Sequence, residues 1–288
     1  MLRRYTKPAL VERHPDLAAR EALALEVVRT SGLAAPRLLA VDPEGAEVGV
    51  PALLMTLLDG RPHLRPTGAT DREEWIAGLV DALIAVHLVA MTDVERRPPS
   101  GDRCLEVQPP NSDRSTPPAL EAVGPWFDVP TLTVPPWATD PGLWNALFVE
   151  LRAQPSPPPT DHLALVHRDL HPGNVLWARR RVSGIVDWVN AGFGSPAADL
   201  ARCRTNLAVL TDQADADEVL ARYRDRSGRN LDDQRWWDLA DLGGAATLTI
   251  PGMSMLDSMV EGPAQLGVDV DRAHAVAGLE CHLRAALG

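Results

Sequence analysis

Apolar residues fall into two kinds of run along this chain. Short alternating or continuous runs predict strands at residues 2–7, 37–42, 50–60, 163–166 and 175–177, and in GIV at 184–186. Longer runs with helical spacing predict helices at 16–31, 71–91, 141–153, 199–210, 214–226, 231–249 and 270–286. In the first strand Arg3, Tyr5 and Lys7 share one face. The helix after it starts near Asp16, stops at Gly32 and carries an apolar stripe of Ala18, Ala22, Leu25 and Val28. Glu21 falls inside that stripe. An acid on a buried face needs a cationic partner, and the preceding strand offers Arg3. Lys7 and Glu26 are the reserve pair, and a surface ion pair is the plain alternative.

Asp71 and Glu74 resemble a capping box at the start of the helix that follows, with Trp75, Leu79, Leu83 and Val86 as its buried face. His87 reads as a packed, hydrogen-bonded histidine near its end. Residues 98–159 hold 15 of the 26 prolines, which excludes one long helix or a central strand there. One helix fits inside, capped by Asp140, with Pro141 in its first turn and Leu143, Trp144, Leu147, Phe148 and Leu151 on its apolar side. The rest reads as ordered loop. Its Trp126, Trp137 and Trp144 are either core or an aromatic cage for an amine.

At 288 residues with 45% apolar content, the chain has material for one large domain or two lobes. It has no membrane-length apolar run and no signal-like start. Cys104, Cys203 and Cys281 are scattered and odd in number, which suits free thiols in a reducing cytoplasm. A net charge of −11 argues against nucleic acid as the main partner. Residues 199–288 carry nine Arg against fifteen Asp or Glu, a net of −6. That excess suits a polycationic small molecule or is ordinary solvated surface.

The chemistry concentrates in LALVHRDLHPGNVLW at 163–177 and GIVDW at 184–188. Asp169 and Asn174 share one polar loop between apolar runs, and Asp187 ends the next run. Phosphoryl transfer needs a carboxylate to take the proton of an attacking hydroxyl, and oxygen ligands for magnesium. Asp169 suits the first role and Asn174 with Asp187 the second. His167 is placed to orient the loop, while Arg168 reads as a partner for a nearby acid. The bland alternative is a hairpin with a solvated polar loop.

The block resembles the aminoglycoside phosphotransferase and choline kinase-like family, whose pattern H-x-D-L-H-x-x-N is met by His167, Asp169, Leu170, His171 and Asn174. IVDWVNAGFGSPAADLA likewise meets the family's next block through Gly194, Pro196, Asp199, Leu200 and Ala201. The resemblance implies an α+β, protein kinase-like two-lobed fold. Residues 1–60 would form a small nucleotide-binding lobe, truncated at its start, and 61–288 a larger, mainly helical lobe for catalysis and the acceptor. It implies Asp169 as catalytic base, Asn174 and Asp187 as metal ligands, and Asp199 as an anchor of the catalytic loop, with a helix N-cap as its other reading. Arg3 and Glu21 would pair at the nucleotide phosphates. Met55, Thr56, Leu57 and Leu58 would line the adenine site, although core packing explains their apolar side chains equally well. The co-substrate would be ATP or GTP with Mg2+, and the partner a small hydroxyl-bearing acceptor. A non-catalytic nucleotide- or ligand-binding chain is the rival reading. It is motivated by the family's two opening strands and phosphate loop, which would precede Met1 in this numbering.

Overall fold

The computed structural model describes residues 1–90, 120–250 and 253–288. Residues 91–119, which include Met91, Cys104 and the first prolines of the Pro-rich stretch, lie outside the described residues.

The chain opens with β1 (Leu2–Arg4), α1 (Pro8–Arg13), α2 (Leu17–Val28), β2 (Leu38–Asp42) and β3 (Ala52–Met55). β3 is central in an antiparallel sheet of order β1-β3-β2. It is buried at Ala52, Leu53 and Met55 because it is covered where the edge strands are open. Ala18, Ala22, Leu25 and Val28 of α2 are buried as their spacing predicts. α1 was not expected. Its Pro8 occupies the first turn, where a missing N–H costs nothing. Lys7 stands at its N-cap and is exposed, while Glu26 pairs with Arg29 at 2.9 Å on the surface.

The connection into the larger part turns at Gly60, whose φ of +110° and close approach to the Trp177 carbonyl leave no room for a Cβ. Then come β4 (Arg61–Pro62), α3 (Ala69–His87), α4 (Pro141–Ala153), β5 (Ala164–Val166), β6 (Val175–Ala178), β7 (Arg181–Ile185) and β8 (Gly192–Gly194). Small sheets β4-β6-β7 and β5-β8 bracket the 167–174 loop. α4 has the bounds its periodicity predicts, and Asp140 accepts from Leu143 N at 3.1 Å. α3 corrects one expectation. Gly68 is its N-cap, and Asp71 instead accepts from Thr67 N at 2.7 Å, while Glu74 pairs with Arg180.

The remainder is α5 (Ala197–Leu210), α6 (Gln213–Ser227), α7 (Gln234–Thr247), β9 (Thr249–Ile250), β10 (Met253–Ser254), α8 (Met255–Gln265) and α9 (Arg272–Leu287). α5 is buried along its whole length between α6, α7 and α9. Its arginines are tolerated there because Arg202 meets Asp169, and Arg204 meets Asp217 and Asp238. α8 and the β9-β10 hairpin fall in a gap between predicted helices. Pro263 and Gly262 dilute the helical pattern, but Ser254 and Asp257 form a capping box that was legible in the sequence. The architecture is a small sheet-rich N-terminal region and a larger helical part, the kinase-like arrangement expected. No helix among the described residues is long and apolar enough to cross a membrane. Cys203 and Cys281 are free thiols.

Candidate active site

The 167–174 loop is held from below by α5. Asp199, fully buried, accepts from the main-chain N–H of His167 at 2.8 Å and of Arg168 at 2.5 Å. Its second reading as helix N-cap is not what the structure shows, since Pro196 takes that position. His87 Nε2 lies 3.1 Å from the same carboxylate, and Tyr223 fixes the other ring nitrogen at 2.7 Å. Burial opposes the charge on Asp199, yet the hydrogen bond and proximity of His87 outweigh it and hold the carboxyl below its ordinary range. The two main-chain bonds secure a turn in which Arg168 sits at φ +70°, a conformation non-glycine residues seldom adopt.

His167 crosses from this loop to the next strand. The Asp169 N–H donates to its Nδ1 at 3.3 Å, which leaves the proton on Nε2 to donate to Val186 O at 3.0 Å. Asp187 follows at φ +69°, so loop and strand end are tied together at both strained residues. Among the described residues Arg168 meets no acid with its side chain in a hydrogen bond. It donates to Gly124 O at 2.5 Å, and its guanidinium stacks on Trp126 at 4.5 Å and near Trp237 at 5.2 Å. Burial pushes it down to about 10. Of the two readings of the tryptophans, core packing describes Trp144, which is fully buried, and Trp137, which packs edge-on against it, while Trp126 is taken by Arg168.

Asp169 faces a cleft of about 940 Å3 with Asn174, Asp187, His171 and Arg3 also on its wall. Burial raises the Asp169 pKa, but Arg202 and His171 overcome this and hold it below the ordinary range. It is therefore ionised near neutral pH. His171 is lowered by burial and so neutral there, with Nδ1 accepting from Gly173 N at 3.1 Å. Asn174 Nδ2 donates to Asp169 O at 2.8 Å, which leaves the side-chain oxygen for another partner. Asp187 gives one oxygen to Arg3 at 2.6 Å and keeps the second. An amide oxygen and a carboxylate oxygen are the hard donors magnesium takes, and it needs few of them because water and phosphate complete its shell.

Across the cleft Arg3 donates to Glu21 at 2.8 Å, and Tyr5 OH donates to the other Glu21 oxygen at 2.6 Å. Burial opposes the charge on Arg3, but Asp187 and Glu21 more than offset it. Burial also raises Glu21 above its ordinary range. The four residues expected at the adenine site stand apart from this cleft. Met55 is core, Leu57 is 77% exposed, and neither Thr56 nor Leu58 lines the cleft. The main-chain N–H groups of Met55 and Thr56 are spent on Met1 O and Arg37 O.

Two groups escaped the sequence reading. Arg202 donates from Nε to Asp169 at 2.8 Å, with Asp241 behind it at 3.8 Å. Its place three residues after Asp199, on the same helical face, was the available signal. Met255, Ser258 and Met259 of α8 line the cleft opposite. For the acids of residues 199–288 the ordinary-surface reading is the one the described cleft wall fits. None of them is on the cleft wall, whose acids among the described residues are Asp128, Asp169 and Asp187.

Among solved structures, the fold is similar to a thermostable mutant of aminoglycoside phosphotransferase APH(4)-Ia in ternary complex with ADP and hygromycin B. The TM-score is 0.54 and the identity 14%, over 93% of this chain and 83% of that one. It is also similar to macrolide 2'-phosphotransferase MphH from Brachybacterium faecium, at TM-score 0.51 and 19% identity over 96% and 82% of the two chains. An aminoglycoside-3'-phosphotransferase of type VIII gives 0.51 and 20%, over 77% and 78%. A search of curated proteins found no match. The profile of the phosphotransferase enzyme family matches residues 1–238, a span that includes Arg3, the 167–174 loop, Asp187 and Asp199; this chain belongs to that family.

Proposed function

We propose that this phosphotransferase moves the γ-phosphoryl group of ATP or GTP to a hydroxyl of a small molecule. The observation that carries the reading is the convergence of an ionised Asp169, Asn174, Asp187 and the Arg3–Glu21 pair on one cleft. Residues 1–60 act on the nucleotide, and residues 61–288 hold the reacting hydroxyl.

The acceptor oxygen attacks the γ-phosphorus while its proton passes to Asp169. The bond from phosphorus to the bridging oxygen breaks, and the nucleoside diphosphate leaves. Arg202 and Asn174 hold Asp169 in place, one by the carboxylate and one by the main-chain carbonyl. Arg3 sits where it can meet phosphate oxygens while Glu21 and Tyr5 orient it. Asn174 and Asp187 are the residues that would hold magnesium, which when bound neutralises charge on the phosphates.

The test is nucleotide-dependent phosphate transfer across a broad acceptor panel, with and without magnesium. Transfer is expected to require magnesium and to vanish in Asp169→Ala. Unchanged turnover in that variant would remove Asp169 from the role. Nucleotide binding without transfer to any acceptor would favour a non-catalytic binding chain.

A further inference from the structure

Four charged side chains gather at and behind the cleft wall. Arg168 and Asp169 come from the loop, Arg202 from α5 and Asp241 from α7. Asp199 also faces Arg168, but two main-chain donors and His87 already engage it. Arg204, further along α5, is matched by Asp217 and Asp238. The remaining two arginines and two carboxylates balance in number.

The partners are used unequally. Arg202 donates from Nε to Asp169 at 2.8 Å, while its Nη1 stands 3.8 Å from Asp241. Its Nη2 reaches only the Met255 sulfur, at 3.4 Å. The Asp241 side chain is 2% exposed, and neither of its oxygens accepts a hydrogen bond among the described residues. A buried carboxylate with both oxygens unclaimed is costly unless a cation answers it. Arg168 spends a donor on Gly124 O and answers Asp241 only through space. A charge-assisted hydrogen bond closes at about 2.8 Å, so Arg202 stands roughly 1 Å short of a second partner. Burial weakens the charge on Arg202, and Asp169 first and Asp241 second more than restore it.

This arrangement bears on the reaction when Asp169 changes charge. As the acceptor hydroxyl attacks, its proton passes to Asp169, and the carboxylate becomes a neutral carboxylic acid. Arg202, with a side chain 8% exposed, then loses its close counter-ion away from water. Asp241 is not on the cleft wall, so it acts on the transfer through Arg202.

We propose that Asp241 is a positioning residue that takes over Arg202 as Asp169 accepts the proton, so that the guanidinium keeps one close carboxylate throughout the transfer. This rests on the phosphotransfer reading and extends it to a residue outside the cleft. The contact strengthens only along the reaction, so it acts on kcat and leaves both KM values alone.

The test pairs Asp241→Asn, which keeps the size and removes the charge, with Arg202→Met. Asp241→Asn is expected to lower kcat by about tenfold or more, while the KM of nucleotide and of acceptor each stay within about twofold. In the Arg202→Met background the same substitution should leave kcat unchanged. Urea unfolding gives a readout free of turnover. Asp241→Asn leaves two arginines with one carboxylate, and Arg202→Met leaves two carboxylates with one arginine, so each should lower the midpoint. The double variant restores the balance, and its midpoint should lie above that of Arg202→Met alone. An unchanged kcat in Asp241→Asn, an equal loss in both backgrounds, a KM that moves as far as kcat, or a double-variant midpoint at or below that of Arg202→Met would each overturn the proposal. If any of these appears while Asp169→Ala abolishes transfer, the phosphotransfer reading stands and the role of Asp241 alone is withdrawn. Turnover that survives Asp169→Ala sinks the phosphotransfer reading and this role with it.

Discussion

Replacing Asp199 by Ala removes the only side chain joining α5 to the 167–174 loop through two main-chain donors. The N–H groups of His167 and Arg168 lie in residues 0% and 3% exposed, so water cannot take over. Each buried donor left unpaired costs about 1–3 kcal/mol, so the pair costs about 2–6 kcal/mol. That is a large share of a stability of about 5–15 kcal/mol. Asp199→Asn keeps one acceptor oxygen and should lose about half as much. The acid limb supplies a second check. The folded pKa of Asp199 is depressed, so its contribution is present above the unfolded value and lost as pH falls through the folded one. The ordinary value is 3.8, and the loss therefore falls below it. Urea unfolding followed by circular dichroism at pH 7 and across pH 2–5 measures both. kcat should fall further than stability alone explains, because Arg168 loses the bond that holds its turn at φ +70°. A loss under about 1 kcal/mol with unchanged kcat would refute the anchoring argument.

Arg202→Met removes the cation that holds Asp169 down. The Asp169 pKa should rise, and the acid limb of the pH–kcat profile should move to higher pH; a stationary limb would disconnect Arg202 from the proposed base. Glu21→Gln deprives Arg3 of one of its two charged partners and should raise the nucleotide KM about tenfold while sparing the acceptor KM, the equivalent of one charge-assisted hydrogen bond. Initial rates with each substrate varied in turn would expose a wrong attribution, which would appear as an effect on the acceptor.

Much of the molecule was legible where local patterning and the final environment agree. The bounds of α4 followed from a proline, a capping aspartate and helical spacing, all within thirteen residues. The burial of Glu21 and its pairing with Arg3 followed from one acid on an apolar stripe beside one strand cation. The spacing of Asp169, Asn174 and Asp187 named the groups that meet at the cleft because a strand, a loop and the next strand are short and contiguous. α8 was missed because a glycine and a proline interrupt its period, so only its capping box carried a signal.

What the sequence could not decide is which charges face one another across elements far apart in the chain. Asp169 and Arg202 are 33 residues apart, and Arg3 and Asp187 are 184 apart. Only the packing of α5 under the loop, and of the first strand against Asp187, brings them together. The same holds for the acids of the last third. Composition placed a negative charge of six there, but helical packing turned those carboxylates into the core or outward to solvent. The sequence by itself determined the chemical groups and their local order. Tertiary structure decided which charges meet at the cleft, because Coulomb energy depends on distance in space and on burial, and neither is a function of separation along the chain.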